Sequence, residues 1–194
     1  GTMFGSDHYG IEPDIITIAK GLTSAYAPLS GSIVSDKVWK VLEDGTDEFG
    51  PIGHGWTYSA HPIGAAAGVA NLKLIDDLGL VANAKETGAY LNQAMKTALG
   101  DHPNVGDIRG EGMLCAIEMV EDKAKRTFFD PSAKIGPSIA AALLKRNVIA
   151  RAMPQGDIIG FAPPMSLTKE EADIVVDATK EAVEEVFSGI VRQT

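Results

Sequence analysis

The chain has 194 residues, about 1.3 typical domains, with 45% hydrophobic and 22% charged side chains. That balance excludes a disordered tail, a collagen-like chain and a coiled coil. Seventeen basic against twenty-six acidic residues leave a net charge of −9, which argues against nucleic acid as a general partner, because phosphate binding needs clustered Lys and Arg.

The opening Gly1-Thr2-Met3-Phe4-Gly5-Ser6-Asp7-His8-Tyr9-Gly10 has no initiator methionine and no element-forming period, and reads as the interior of a longer protein. Asp14-Ile15-Ile16-Thr17-Ile18-Ala19, preceded by Pro13, is a β-branched run that predicts a buried strand. A second strand is expected over 29–34, then a short helix over 35–43 with Ser35 as N-cap, then a Gly- and acid-rich loop over 44–53. Gly55-Trp56-Thr57-Tyr58 reads as a brief strand end. Residues 62–78 turn helical, with Pro62 in the first turn and Ala60 or His61 at the cap. The small side chains of Ala65-Ala66-Ala67-Gly68-Val69-Ala70 predict close packing against other backbone. Gly79 interrupts, and an amphipathic helix follows over 81–99.

After Pro103 the pattern becomes α+β: strands over 105–110 and 113–120 joined by a glycine turn, a helix over 135–146, and strands over 148–150 and 157–161. Thr168-Lys169-Glu170-Glu171 has the form of a capping box. The helix behind it is expected to bury Ile174, Val175, Ala178, Ala182, Val183 and Val186. Two unequal parts emerge: 1–80, a remnant of an α/β domain, and 81–194, a linking helix with a small α+β domain. Cys115, the single cysteine, sits among apolar neighbours, so a buried, inert thiol and no internal disulfide are expected. No apolar stretch has spanning length and no charged-then-apolar leader opens the chain. The expectation is a soluble, cytoplasmic protein with no membrane partner.

Lys20 follows directly on the first apolar strand and precedes Gly21, at the carboxyl end of a strand, where open α/β sheets bind ligands. An amine so placed is expected to be partly desolvated and nucleophilic toward carbonyls. Tyr26, among small residues that permit close approach to a flat group, is expected to line the substrate entrance. His54 and His61 stand seven residues apart with no Cys or fitting carboxylate nearby, so no metal is expected, and His61 reads as a helix cap. Arg109 and Arg146 read as structural.

Pro13-Asp14-Ile15-Ile16-Thr17-Ile18-Ala19-Lys20-Gly21-Leu22, with Pro28-Leu29-Ser30-Gly31 behind it, resembles the cofactor-lysine segment of the class III (ω-amino-acid type) aminotransferases, which use pyridoxal 5′-phosphate. Met3-Phe4-Gly5-Ser6-Asp7-His8-Tyr9-Gly10-Ile11 looks like the approach to that lysine. Gly53-His54-Gly55-Trp56-Thr57-Tyr58-Ser59-Ala60-His61-Pro62 is similar to a second motif of the family, and Ala162-Pro163-Pro164-Met165 before a Thr-capped helix to a third. In order, the three cover nearly the whole chain.

The resemblance implies fold type I of the pyridoxal-phosphate enzymes, here part of the large α/β domain plus the small carboxyl-terminal domain. Lys20 would form a Schiff base with the cofactor and, once freed, carry the proton between substrate and cofactor. Thr57 would bind the phosphate from the neighbouring subunit of a homodimer, or of a tetramer, with Trp56 beside it as a wall of the substrate pocket. Arg151 aligns with the arginine that grips the α-carboxylate of the keto acid and swings aside for amines without one; a guanidinium suits that task. The partners implied are an ω-amino acid, diamine or primary amine as donor and a keto acid, pyruvate first, as acceptor. Family members are more than twice this length. The phosphate cup, the ring-stacking aromatic and the aspartate paired with the ring nitrogen would lie outside this chain, and Asp14 is too close to Lys20 to be that aspartate. The 194 residues alone are therefore expected to be inactive or nearly so. Other class III chemistry, an aminomutase or a dialkylglycine-type decarboxylase, and a non-catalytic α+β dimerisation module are the alternatives.

Overall fold

The β-branched run ahead of Lys20 forms β1 (Ile15–Ile18), which pairs antiparallel with β2 (Gly31–Val34) in the register Ile15↔Val34 to Ile18↔Gly31. The computed structural model describes residues 1–191, which divide into two compact units, Thr2–Gly79 and the residues from Leu80 onward. The first strand is not the buried one expected, since Ile15 stays 56% exposed. A ribbon of two strands lacks the additional strands or packed layer that would close over it.

Ahead of the ribbon lies a one-turn helix, α1 (Gly5–Tyr9), which the sequence pattern does not announce; the Phe4 N–H donates to the Asp7 carboxylate at 3.3 Å and closes its first turn. Behind the ribbon, α2 (Asp36–Phe49) starts where the Ser35 hydroxyl accepts from the Val38 N–H at 3.4 Å. It continues through 44–49, where a loop was expected. Lys40 pairs with Asp44 at 3.2 Å and the Thr46 hydroxyl donates to the Leu42 carbonyl at 3.0 Å, and these four-residue links carry the helix across Gly45. No strand forms at 55–58; instead the Trp56 N–H donates to the Ser59 hydroxyl at 2.9 Å and the chain turns.

The helix α3 (Pro62–Asp77) is capped by His61, whose Nδ1 accepts from the Ile63 N–H at 3.3 Å. Of the small stretch 65–70 only Gly68 is buried, while Ala65, Ala66, Val69 and Ala70 face outward, so the close packing is confined to the two glycines four apart. A Cβ on Gly64 would stand 3.4 Å from the Pro28 carbonyl oxygen and one on Gly68 3.0 Å from the Leu29 side chain, so the helix lies close on the loop behind Lys20.

The second unit comprises α4 (Leu80–Leu99), β3 (Val105–Glu111), β4 (Leu114–Met119), α5 (Ile135–Lys145), β5 (Arg151–Ala152), β6 (Ile158–Phe161) and α6 (Lys169–Val191). The strands form one antiparallel sheet in the order β3-β4-β6-β5. Alternation sends Cys115, Ile117 and Met119 of β4 and Ile159 and Phe161 of β6 into a core shared with Leu91, Ile139 and Val183 of the helices. Arg109 and Glu118 stand on the opposite, open face, 2.6 Å apart. Burial pushes the Cys115 thiol up to about 11, which makes it inert at neutral pH.

Three expectations in this unit need correction or gain detail. No strand forms over 148–150: Asn147 takes φ 61° and the Val148 N–H folds back to the Leu143 carbonyl at 3.0 Å, so the ladder begins only at Arg151, opposite Gly160. Ile174 is 62% exposed, because it lies two residues beyond buried Ala172 and hence on the far side of α6. The capping box forms as expected, with the Thr168 N–H donating to Glu171 at 2.9 Å and the Glu171 N–H to the Thr168 hydroxyl at 3.1 Å. Among the described residues, no helix is long and apolar enough to cross a membrane.

Candidate active site

The backbone changes hand at the candidate amine. Ala19 is extended, whereas Lys20 takes φ 51° and opens a tight turn through Leu22; Ser24 and Ala25 follow at φ 49° and 61°. Left-handed backbone costs a side-chain-bearing residue on the order of 1 kcal/mol or more, and persists where the surroundings over-determine it. Here they do. The buried Thr23 hydroxyl donates to the Ala27 carbonyl at 2.6 Å, and the Ala25 N–H donates to the Lys20 carbonyl at 3.3 Å. From α3, the Asn71 amide donates to the Gly21 and Leu22 carbonyls at 2.8 and 3.3 Å and accepts from the Ser24 hydroxyl at 2.7 Å.

Lys20 lines a cleft of about 590 Å³ together with Thr17, Ser30, Ser32, His54 and Trp56. Ligand sites commonly occupy about 300–1,000 Å³. The His54 and Trp56 rings meet edge to face, centroids 4.8 Å apart at 73°. The Lys20 side chain is exposed, so these residues do not supply the desolvation expected of it. Trp56 lines the cleft beside Lys20 and remains 75% exposed. Thr57 is exposed in the adjoining turn and does not line the cleft. Tyr26, 92% exposed, does not line it either.

Arg151 belongs to the second unit, on the edge strand β5 and exposed on the open face. Its backbone pairs with β6, while among the described residues its side chain forms no hydrogen bond or ion pair. Arg109 and Arg146 are held: Arg109 by Asp107 and Glu118 at 2.8 and 2.6 Å, Arg146 by Glu181 and Glu185 at 3.0 and 2.8 Å. Among the described residues no group of three or more His, Cys, Asp or Glu is placed to hold a metal ion.

The donor set in the cleft suits a flat aldehyde that carries an anion. There is a primary amine for the carbonyl, three hydroxyls to donate to the anion, and an imidazole–indole pair to meet a ring. No carboxylate lines it. Asp14 lies outside the cleft, accepting from Ser35 and pairing with Lys37, both at 3.2 Å. Two residues of this region escaped the sequence reading. His54 was weighed only as a metal ligand, although it sits two positions before Trp56. Asn71 lies three residues beyond Gly68 and seven beyond Gly64, on the face those glycines already marked as a packing surface.

Comparison with solved structures places the fold among the pyridoxal-phosphate transferases of fold type I. One described as "Directed Evolution of Transaminases By Ancestral Reconstruction. Using Old Proteins for New Chemistries" superposes with a TM-score of 0.94 at 61% identity, over 97% of this chain and 41% of that one. The family described as "Aminotransferase class-III" matches residues 1–183, and the chain belongs to that family. Among curated relatives, the diaminobutyrate–2-oxoglutarate transaminase of Halomonas elongata is 61% identical over 193 residues, all of this chain and 41% of the relative. The putrescine–pyruvate aminotransferase of Pseudomonas aeruginosa is 33% identical over 191 residues, 98% of this chain and 40% of the relative. The chain thus spans about two-fifths of the length of the relatives it matches.

Proposed function

We propose that these residues carry the amine-bearing part of an aminotransferase that passes an amino group from an ω-amino acid, diamine or primary amine to a keto acid in two half-reactions. The observation that carries the reading is Lys20, set by a left-handed turn at the end of β1 on a cleft that His54 and Trp56 complete. When bound, pyridoxal 5′-phosphate supplies the carbonyl that takes up the amino group and the ring that draws electrons from the substrate carbon. The Lys20 amine would hold that carbonyl and, when displaced, move a proton at the substrate carbon that bears the amine. Trp56 would wall the substrate side of the cleft, and Tyr26 its entrance. The Thr57 hydroxyl and N–H would bind the phosphate from across a homodimer interface. The exposed apolar side chains of the first unit, Trp39, Phe49 and Tyr58 among them, support a covered face there. Arg151 would take the α-carboxylate of the acceptor bidentately.

For the acceptor, the 61% identical H. elongata relative is named for 2-oxoglutarate and the 33% identical P. aeruginosa relative for pyruvate. The higher identity puts 2-oxoglutarate first and pyruvate second, and diaminobutyrate first among donors. A cytoplasmic setting belongs to the same reading, supported by the single, buried, unpaired Cys115.

The test uses the full-length protein. Borohydride treatment in the presence of pyridoxal 5′-phosphate should fix the cofactor to Lys20, as read by peptide mass, and Lys20→Ala should remove both the adduct and amino transfer. Turnover retained in that variant would sink the assignment. An acceptor screen separates 2-oxoglutarate from pyruvate, and an enzyme that rearranges or decarboxylates its substrate without a keto acid would point to the other class III chemistries. Subunit sharing is tested by mixing Lys20→Ala and Thr57→Ala proteins: free exchange restores about a quarter of wild-type activity if the two residues serve one site from different subunits, and none if they serve it from the same one.

A further inference from the structure

We propose that Asn71 is a positioning residue for Lys20, holding the lysine's turn in the left-handed form that puts its amine on the cleft. The inference rests on the reading of Lys20 as the cofactor amine and goes beyond it to a residue on another element, some fifty positions along the chain. Asn71 uses both ends of its amide on this one loop. Its nitrogen donates to the carbonyls of Gly21 and Leu22, the two residues directly after Lys20, at 2.8 and 3.3 Å, and its oxygen accepts from the hydroxyl of Ser24 at 2.7 Å. Of the residues it ties, Gly21 and Leu22 directly follow Lys20 and Ser24 precedes Ala25, and Lys20, Ser24 and Ala25 all take positive φ without being glycine.

A planar amide is suited to this, because donor and acceptor lie side by side and one group can span a turn in which carbonyls and a hydroxyl point the same way. The support is rigid. Asn71 is presented by α3, whose buried Gly64 and Gly68 lie close to Pro28 and Leu29 of the same loop, so the clamp and the packing face are one surface. Without the amide, the Gly21 and Leu22 carbonyls lose their side-chain donor, and the loop can relax toward ordinary right-handed or extended backbone, which turns Lys20 off the cleft. No chemistry is asked of Asn71 itself. Its effect runs through the geometry of the amine.

Three readouts on the full-length protein test this: trapping of pyridoxal 5′-phosphate at Lys20 with borohydride, amide hydrogen exchange over residues 20–27, and kcat with KM for the amine donor. In Asn71→Ala the rate of trapping at Lys20 should fall about tenfold, while trapping at the exposed Lys37 and Lys73 stays unchanged. Exchange over 20–27 should quicken, and kcat should fall with little change in KM. Should Asn71→Ala fold poorly, Asn71→Asp and Ser24→Ala keep the test alive. The first retains the acceptor for Ser24 and loses the donor, and should behave like the alanine variant. The second removes only the Ser24 bond and should lower trapping a few-fold. Wild-type trapping and exchange in Asn71→Asp overturn the inference while leaving the role of Lys20 intact. Absence of preferential trapping at Lys20 in the wild type overturns both.

Discussion

The two units of the chain solve the burial problem differently. The unit from Leu80 onward closes on itself: its sheet turns one face inward, with a single irregularity in β3 between Val105 and Asp107, three helices cover that face, and side chains from every strand and helix meet in one core. The unit Thr2–Gly79 buries little beyond Thr23, Ile75 and two helix glycines, and leaves Ile33, Trp39, Phe49 and Val69 exposed. The candidate amine sits in this second kind of structure. Its geometry is set by hydrogen bonds and backbone conformation, whereas the first kind is set by packing. Stability and chemistry should therefore separate cleanly by residue.

The largest effect on stability should come from the packed unit. Leu143→Ala, at a fully buried position, is expected to lower the unfolding free energy by about 2–5 kcal/mol in urea, with trapping of cofactor at Lys20 unchanged. Next comes Gly88→Ala in α4. A helix normally gains about 1 kcal/mol from that change. Here the new methyl would run into the Gly112 carbonyl group, so the sign reverses and a net loss of about 1–3 kcal/mol is expected by the same measurement. Removing the α6 cap with Thr168→Ala should cost about 1 kcal/mol.

In the ribbon, Ile33→Thr should shift stability of this chain by about 0.5 kcal/mol or less, because the side chain is already in water. The same change in the full-length protein should cost more if that face is covered there; equal costs in both would break the contrast. The smallest effect concerns acid. Hydrogen bonds from Arg146 first, then Lys145, hold the Glu185 carboxyl below its ordinary 4.5. A depressed carboxylate contributes stability that is complete above that ordinary value and is lost as pH falls through the folded value. Glu185→Gln should flatten the acid limb of the urea midpoint against pH by lowering the midpoint slightly at neutral pH, while the two proteins converge below the folded value.

Much of this was legible in the sequence where local rules and tertiary packing agree. Ser35, His61 with Pro62, and Thr168 with Glu171 start helices where capping chemistry says they should, and the alternation in β4 and β6 marks the core face. The motif around Lys20 drew attention to the amine, and nothing in the spacing to His54 and Trp56 foretold the cleft that all three line. What failed, failed for stated reasons. Helix α2 runs on through Gly45 because paired side chains four apart outweigh one weak residue, and Val148-Ile149-Ala150 has strand-forming residues but no free ladder until α5 has been closed. The Asn71 clamp joins positions fifty apart in sequence, and no periodicity reports a hydrogen bond of that kind.

The open face of the four-stranded sheet carries one row that crosses every strand: Arg109 beside Ala116, Ala116 beside Gly160, Gly160 beside Arg151. The guanidinium at one end is tethered by two carboxylates, and the one at the other end faces a neighbour with no side chain at all. The place of that missing side chain is taken by a thioether: a Cβ on Gly160 would stand 3.4 Å from the Met153 sulfur and 3.8 Å from the Arg151 carbonyl oxygen. Gly160→Val would drive a branched side chain against that sulfur and crowd the sheet surface on which the Arg151 guanidinium stands.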